Sequence, residues 1–216
     1  MQQRAAGGKK DGARAYQQQR YRSLDQRWVN WREQRIMAQL LTESRLAGGT
    51  LLDIPCGYGR FAPLCARLGI TTVGADVRLD MVRLAAENHA GGGWVRTSIF
   101  ALPFADNAFD GVLCIRLFHH RYSVAERLQM LRELARVARR CVLLSFYWFT
   151  PVHAVARHWR GTRGRLAMMS MPELHELVHA CGLQVQQLRY LLPIGHAQTF
   201  VVLTKDTCSG NCSGLP

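Results

Sequence analysis

Short apolar runs and amphipathic stretches alternate along the chain from residue 50 to residue 204. Leu51 to Ile54, Thr71 to Asp76, Trp94 to Ile99, Phe109 to Leu117 and Cys141 to Tyr147 are brief and rich in branched or aromatic residues, so each is expected to form a strand. Phe61 to Leu68 and Leu79 to Asn88 read as helices. Leu128, Leu131, Leu134 and Ala138 recur at helical spacing, and Ser123 followed by Glu126 is a capping box that starts that helix. Pro172 marks the start of another helix and Gly182 its stop, after which Gln184 to Tyr190 and Gln198 to Leu203 add two more strands. Strands and helices in alternation argue for right-handed crossovers and a parallel sheet, which makes the fold class α/β. Ahead of this, Ala13 to Leu46 reads as helical and polar, interrupted by Tyr16, Tyr21, Trp28 and Trp31, and Gly48-Gly49 closes it.

The stretch from Leu51 to Arg60 carries the clearest chemistry. An apolar run ends in Asp53, and a turn through Pro55, Cys56, Gly57 and Gly59 follows before helical sequence resumes. Glycines lack a β-carbon, so Gly57 and Gly59 can take positive φ and let the backbone approach a ligand closely. Asp76 ends the second strand, where a carboxylate can accept both hydroxyls of a ribose.

Three ordered motifs carry a family resemblance: the Asp-x-x-Cys-Gly-x-Gly turn at 53–59, Val73-Gly74-Ala75-Asp76-Val77 running on to Asp80-Met81, and Leu102-Pro103-Phe104-Ala105-Asp106-Asn107-Ala108-Phe109-Asp110. Over residues 50 to 204 the chain resembles the class I S-adenosylmethionine-dependent methyltransferases, in particular the small-molecule branch with the ubiquinone and menaquinone enzymes. The resemblance implies a Rossmann-like seven-stranded, mostly parallel sheet with helices on both faces and an antiparallel last strand. It implies S-adenosyl-L-methionine as cofactor, with the methionine part on the loop containing Asp53, Pro55, Cys56, Gly57 and Gly59, and the cofactor ammonium on Asp53. Asp76 would take the ribose and Val77 the adenine face, and Met81 is a further cofactor-binding position. Ser98, Ile99 and Ile115 would line the rest. Pro55 stands where the family's first glycine usually is, and Ser98 where an aspartate often meets the adenine amino group.

Charge and composition refine this picture. The net charge is +13, and Lys9, Lys10 and Lys205 are the only lysines, so arginine carries nearly all of it. A basic surface fits RNA, yet Arg127, Arg132, Arg136, Arg139 and Arg140 follow one helix and are expected to be a solvated face. Asn-Pro-Pro-Tyr and Asp-Pro-Pro-Tyr, signatures of many base-methylating relatives, are absent after the fourth strand. No apolar run is long enough to span a membrane and no secretory signal is evident, so a cytoplasmic protein is expected. Seven scattered cysteines are read as reduced thiols, with Cys208 and Cys212 able to pair.

The expected organisation is a disordered basic tail at 1–12, a helical extension at 13–49, the methyltransferase domain at 50–205 with a basic lid at 151–171, and a flexible tail at 206–216. His119 and His120, immediately after the fourth strand, are the candidate general bases. Tyr21, Arg157, His158 and Arg160 are the candidate contacts to a small-molecule or anionic acceptor. RNA or protein methylation and a non-catalytic partner subunit are the alternatives. His175-Glu176-Leu177-Val178-His179 spells a zinc-protease motif, but Val185 occupies the third-ligand position, and an amphipathic helix is the favoured reading.

Overall fold

The computed structural model describes residues 11–20, 22–120, 122–148, 167–192 and 196–205. Two helices, α1 (Asp11–Arg20) and α2 (Leu24–Glu43), precede β1 (Thr50–Asp53), α3 (Ala62–Arg67), β2 (Thr71–Asp76), α4 (Leu79–Asn88), β3 (Gly93–Arg96) and β4 (Phe109–Cys114). Then come α5 (Val124–Val137), β5 (Ala138–Tyr147), α6 (Met171–His179), β6 (Leu183–Leu192) and β7 (His196–Lys205). The sheet order is β3-β2-β1-β4-β5-β7-β6. Strands β1 to β5 pair in parallel, whereas β7 runs antiparallel to both β5 and β6. This is the expected seven-stranded Rossmann-like sheet with its last strand reversed.

Strand alternation divides the core between the two faces. Leu51 and Leu113 pack with Ile36, Met37, Leu40 and Leu41 of α2 and with Leu64 and Cys65 of α3. Their neighbours Leu52 and Val112 face the other way, against Met130, Leu131 and Leu134 of α5 and Leu174, Leu177 and Val178 of α6. Ser123 caps α5 by the expected capping box, and Gly182 stops the chain after α6 at φ +64.

Several expectations are corrected. The N-terminal helical stretch is two helices, separated near Ser23, because they serve different layers: Ala13 of α1 joins Met81 and Leu84 of α4, while α2 packs on the sheet. β3 ends at Arg96, before the turn that bridges Ser98 to Ala101. β4 ends at Cys114, and two residues later Arg116 takes φ +63. The arginines after Ser123 are not a uniform solvated face. Arg127 is 5% exposed and pairs with Glu173 at 2.7 Å, joining α5 to α6. Arg136 donates to the carbonyls of Phe104 and Leu102 and binds Glu133 and Asp106, so it clamps the segment before β4. As expected of an amphipathic helix, α6 exposes His175, Glu176 and His179 and turns Leu174, Leu177 and Val178 into the core. The five described cysteines are unpaired, and four are buried.

Candidate active site

The C-terminal ends of β1, β2 and β4 meet where an open α/β sheet gathers ligands. Asp53 leaves β1 with 2% exposure, and the chain turns at once, with Cys56 N–H donating to the Ala75 carbonyl at 2.8 Å. Gly57 and Gly59 have φ of +56 and +79, as their sequence suggests. They do so for different reasons. A β-carbon at Gly57 would meet no atom within 4 Å, whereas one at Gly59 would strike His89 at 2.6 Å and Trp94 at 2.9 Å. Gly57 thus bounds open space and Gly59 admits an aromatic side chain.

Asp76 ties the turn to β2. One carboxylate oxygen accepts Gly57 N–H at 3.0 Å and the other accepts Arg78 N–H at 2.9 Å. Each oxygen takes one of these bonds, leaving acceptor capacity for hydroxyls. Burial pushes the Asp76 carboxyl up, resisted by those two N–H groups. Asp53 is pushed to about 8, chiefly by burial, against the attraction of Arg60 and with added repulsion from Asp76. A ligand ammonium is the natural complement of two buried carboxyls. Val77, 60% exposed, offers an apolar face beside Asp76. These groups fit a nucleoside carrying an amino acid.

The other expected cofactor positions vary. Ser98 is half-buried and its hydroxyl accepts Phe100 N–H at 3.3 Å. Ile99, Met81 and Ile115 are buried in the cores. The Ile54–Pro55 peptide is cis, and Cys56 is a buried thiol held far above its usual range by burial and by Asp53.

Beside the carboxyls lies an ion-pair network that sequence reading missed. Glu33 of α2 is 0% exposed and bonds Arg60, Arg116 at 2.7 and 2.8 Å, and the Gln198 amide at 2.7 Å. Burial alone would raise the Glu33 pKa, but Arg60 and Arg116 outweigh it and the net shift is downward. The network ties α2 to the turn after β1, the end of β4 and β7. Its signal was present: Glu33 sits on the same helical face as Ile36, Met37, Leu40 and Leu41, and an acid on a buried stripe requires a cation. Arg116 has no such signal. Its left-handed backbone is held by its N–H donating to Ser145 Oγ at 2.8 Å.

A cleft of about 790 Å³ opens next to this network, walled by Tyr16, Trp28, Val29, Tyr147 and Leu192, with Arg20, Arg116, His196 and Gln198 among its polar groups. His119 stacks on Tyr147 with centroids 4.9 Å apart, and His120 follows at 4.4 Å from His119. His119 is 8% exposed and is pushed down to about 4 by burial, then by the charges of His120 and Arg116. It is therefore neutral near pH 7. His120 is exposed and its pKa is also lowered, by burial and by Arg20. Tyr21, Arg157, His158 and Arg160 lie outside the described residues, as do Cys208, Cys212 and most of the expected lid. Where the chain returns, Ala167 N–H donates to the His119 carbonyl and Met169 N–H to that of Tyr147, each at 2.8 Å.

A family described as a methyltransferase domain matches residues 52–146. A Mycobacterium marinum protein described as an uncharacterized methyltransferase is 36% identical over 111 residues, 49% of this chain and 42% of its own length. A human protein named "Probable tRNA methyltransferase 9B" is 31% identical over 99 residues, 46% of this chain and 21% of its own length. The chain thus spans less than half the length of these curated relatives. In three dimensions it is similar to magnesium protoporphyrin IX methyltransferase from Synechocystis PCC 6803 with bound SAH, at a TM-score of 0.72 and 19% identity over 85% of this chain and 88% of that one. Residues 52–146 thus carry a methyltransferase-domain sequence, and the sheet built on them is similar in fold to that of a methyltransferase solved with bound SAH.

Proposed function

We propose that the chain moves a methyl group from S-adenosylmethionine to an O, N or C nucleophile of a small anionic or lipid-linked acceptor seated in the cleft. The observation that carries this reading is the cleft itself. Its volume of about 790 Å³ falls within the roughly 300–1,000 Å³ usual for small-molecule sites, and aromatic walls with two arginines and several amides against one acid, Asp25, suit a flat or apolar body bearing an anion. Bound over Gly57, the cofactor supplies an electrophilic methyl on its sulfonium. Asp53 would hold the cofactor ammonium, Asp76 the ribose hydroxyls and Val77 the adenine, with Ser98 and Ile99 beside it. Arg20 and Arg116 orient the acceptor. Holding nucleophile and methyl carbon in line in a water-poor site is worth about 7–11 kcal/mol, so the reaction does not depend on a strong base. Where one is used, His120 is exposed and His119 is neutral near pH 7.

The test is a screen with methyl-labelled donor against small carboxylated, phosphorylated and isoprenoid-linked aromatics, with bulk tRNA as a separate arm. Label in the small-molecule arm supports the proposal, and label confined to tRNA replaces it. The tRNA arm is warranted by the human relative and by the net charge of +13. Against it, Arg78, Arg127, Arg136, Arg139 and Arg189 each have an acidic partner within the fold. His119→Ala and His120→Ala are assayed beside wild type with the acceptor so found. Full turnover in both removes base catalysis by these histidines.

Asp53 also predicts a pH dependence. Because its carboxyl is raised to about 8, the free protein holds it protonated at pH 6, and pairing with an ammonium expels that proton. Affinity for S-adenosylhomocysteine should rise from pH 6 to 8 by up to about tenfold per unit and then level off. Asp53→Asn should flatten the profile and weaken binding. It should also raise the melting temperature of the free protein at pH 7.5, since a buried carboxyl with a raised pKa loses stability as pH climbs from the unfolded towards the folded value. Titration calorimetry across pH, with protein and variant, checks the binding profile, and thermal melts of the two free proteins at pH 7.5 check the stability.

A further inference from the structure

The first half of α2 presents a face of which the methyl-transfer reading uses only Trp28. Leu24, Trp28, Trp31 and Arg35 follow one another at four-, three- and four-residue intervals, so they share one side of the helix. The opposite side carries Glu33, Ile36, Met37, Leu40 and Leu41, all buried. A helix packed on a sheet ordinarily turns polar residues outward. Here Leu24 is 81% exposed, Trp31 50% and Trp28 41%, and Tyr16 in the middle of α1 is 39% exposed. Only Val77, Leu79 and Val124 join them as large exposed apolar side chains among the described residues.

Cations surround this face. Between residues 20 and 35 there are five arginines and two acids, and one of those acids, Glu33, is buried on the far side. The Arg35 guanidinium lies over the Trp31 ring at 5.0 Å, and that of Arg20 over the Tyr16 ring at 5.1 Å. Arg22 and Arg27 are exposed alongside, with Asp25 the one exposed acid of the segment. Indole and guanidinium together suit the headgroup layer, where the ring sits at the apolar boundary and the cation meets phosphate. No described helix is long and apolar enough to cross a membrane, so contact would be at the surface.

We propose that this outer face of α2 docks the protein on membrane surfaces bearing anionic lipid. Leu24 separates this occupant from nucleic acid, because an aliphatic side chain gains by entering the acyl boundary and offers nothing to a phosphate or a base. Trp28 belongs to both this face and the wall of the cleft, so docking brings the cleft to the bilayer. The proposal stands on the helix face alone and does not need the acceptor to be known.

The experiment is flotation of the full chain with vesicles of phosphatidylcholine alone and with about 30% phosphatidylglycerol, at low and high salt. Wild type should float with the anionic vesicles, less so at high salt. Leu24→Ser with Trp31→Ser should cut the partition at least about tenfold while leaving S-adenosylhomocysteine affinity unchanged, since neither residue lines the cleft. A second pair, Leu24→Lys with Trp31→Lys, removes the apolar groups while adding charge and should also lose partition. Absence of wild-type flotation, or undiminished flotation of the lysine pair, overturns the proposal. So does a serine pair that instead loses binding to single-stranded RNA, or whose sedimentation shows that the face had joined two copies of the chain.

Discussion

Asp76→Ala should weaken S-adenosylhomocysteine binding by at least about a hundredfold in a calorimetric titration. Two hydrogen bonds from ribose hydroxyls to a carboxylate contribute roughly 1.5–3 kcal/mol each, and a factor of ten needs about 1.4 kcal/mol. The same carboxylate also holds the turn by accepting Gly57 and Arg78 N–H, so its loss loosens the backbone on which the proposed cofactor site is built. Asp76→Asn keeps one acceptor oxygen and should fall between alanine and wild type. Circular dichroism separates a lost contact from a lost fold. An alanine variant that binds within about threefold of wild type would remove Asp76 from the cofactor site altogether.

The second large effect is on stability. Glu33→Ala removes the carboxylate that the Arg60 and Arg116 side chains, 12% and 17% exposed, share, and strips the acceptor from the Gln198 amide. Breaking a buried pair from one side costs about 3–5 kcal/mol, against roughly 5–15 kcal/mol for a whole domain. For a domain of this size the melting temperature should drop by roughly 6–20 °C. Acid should expose the same contact. Because the folded-state pKa of Glu33 is depressed, its contribution is present above the unfolded value near 4.5 and is lost as pH falls through the folded one. Glu33→Gln keeps the shape without the charge, so its stability should change less with pH below 4.5 than that of wild type. Thermal melts at pH 7 and pH 3.5 test both statements. Equal melting temperatures for wild type and Glu33→Ala at pH 7 would show that the network carries no net stability.

These two residues mark how far reading the sequence reaches. Asp76 was legible because it belongs to a local signal: a short apolar run, an acid at its end, and a glycine turn nearby. Strand and helix types were legible likewise, since the two-residue and 3.6-residue periods are written along the chain and Ser123 with Glu126 caps α5 from within four consecutive residues. Gly57 and Gly59 were identifiable as positive-φ positions, but only the packed structure separates the open space above one from the His89 and Trp94 rings against the other.

Whatever joins distant segments was not legible. Glu33, Arg60, Arg116 and Gln198 lie on four different elements, and no local pattern says that one carboxylate serves them all. Arg127 and Arg136 read by spacing as a solvated helix face, but Glu173 and the carbonyls of Leu102 and Phe104 lie beside them. The helix break at Ser23 follows from α1 and α2 serving separate layers, a choice made by tertiary packing. From the sequence alone came the α/β class, the succession of strands and helices along the chain, the family resemblance and the positive-φ turn after β1, because neighbouring residues encode backbone conformation and local capping. The tertiary structure alone decided which charges are paired, where the cleft lies and which face of α2 is left to solvent, because those depend on side chains far apart in the chain meeting at the C-terminal edge of one sheet.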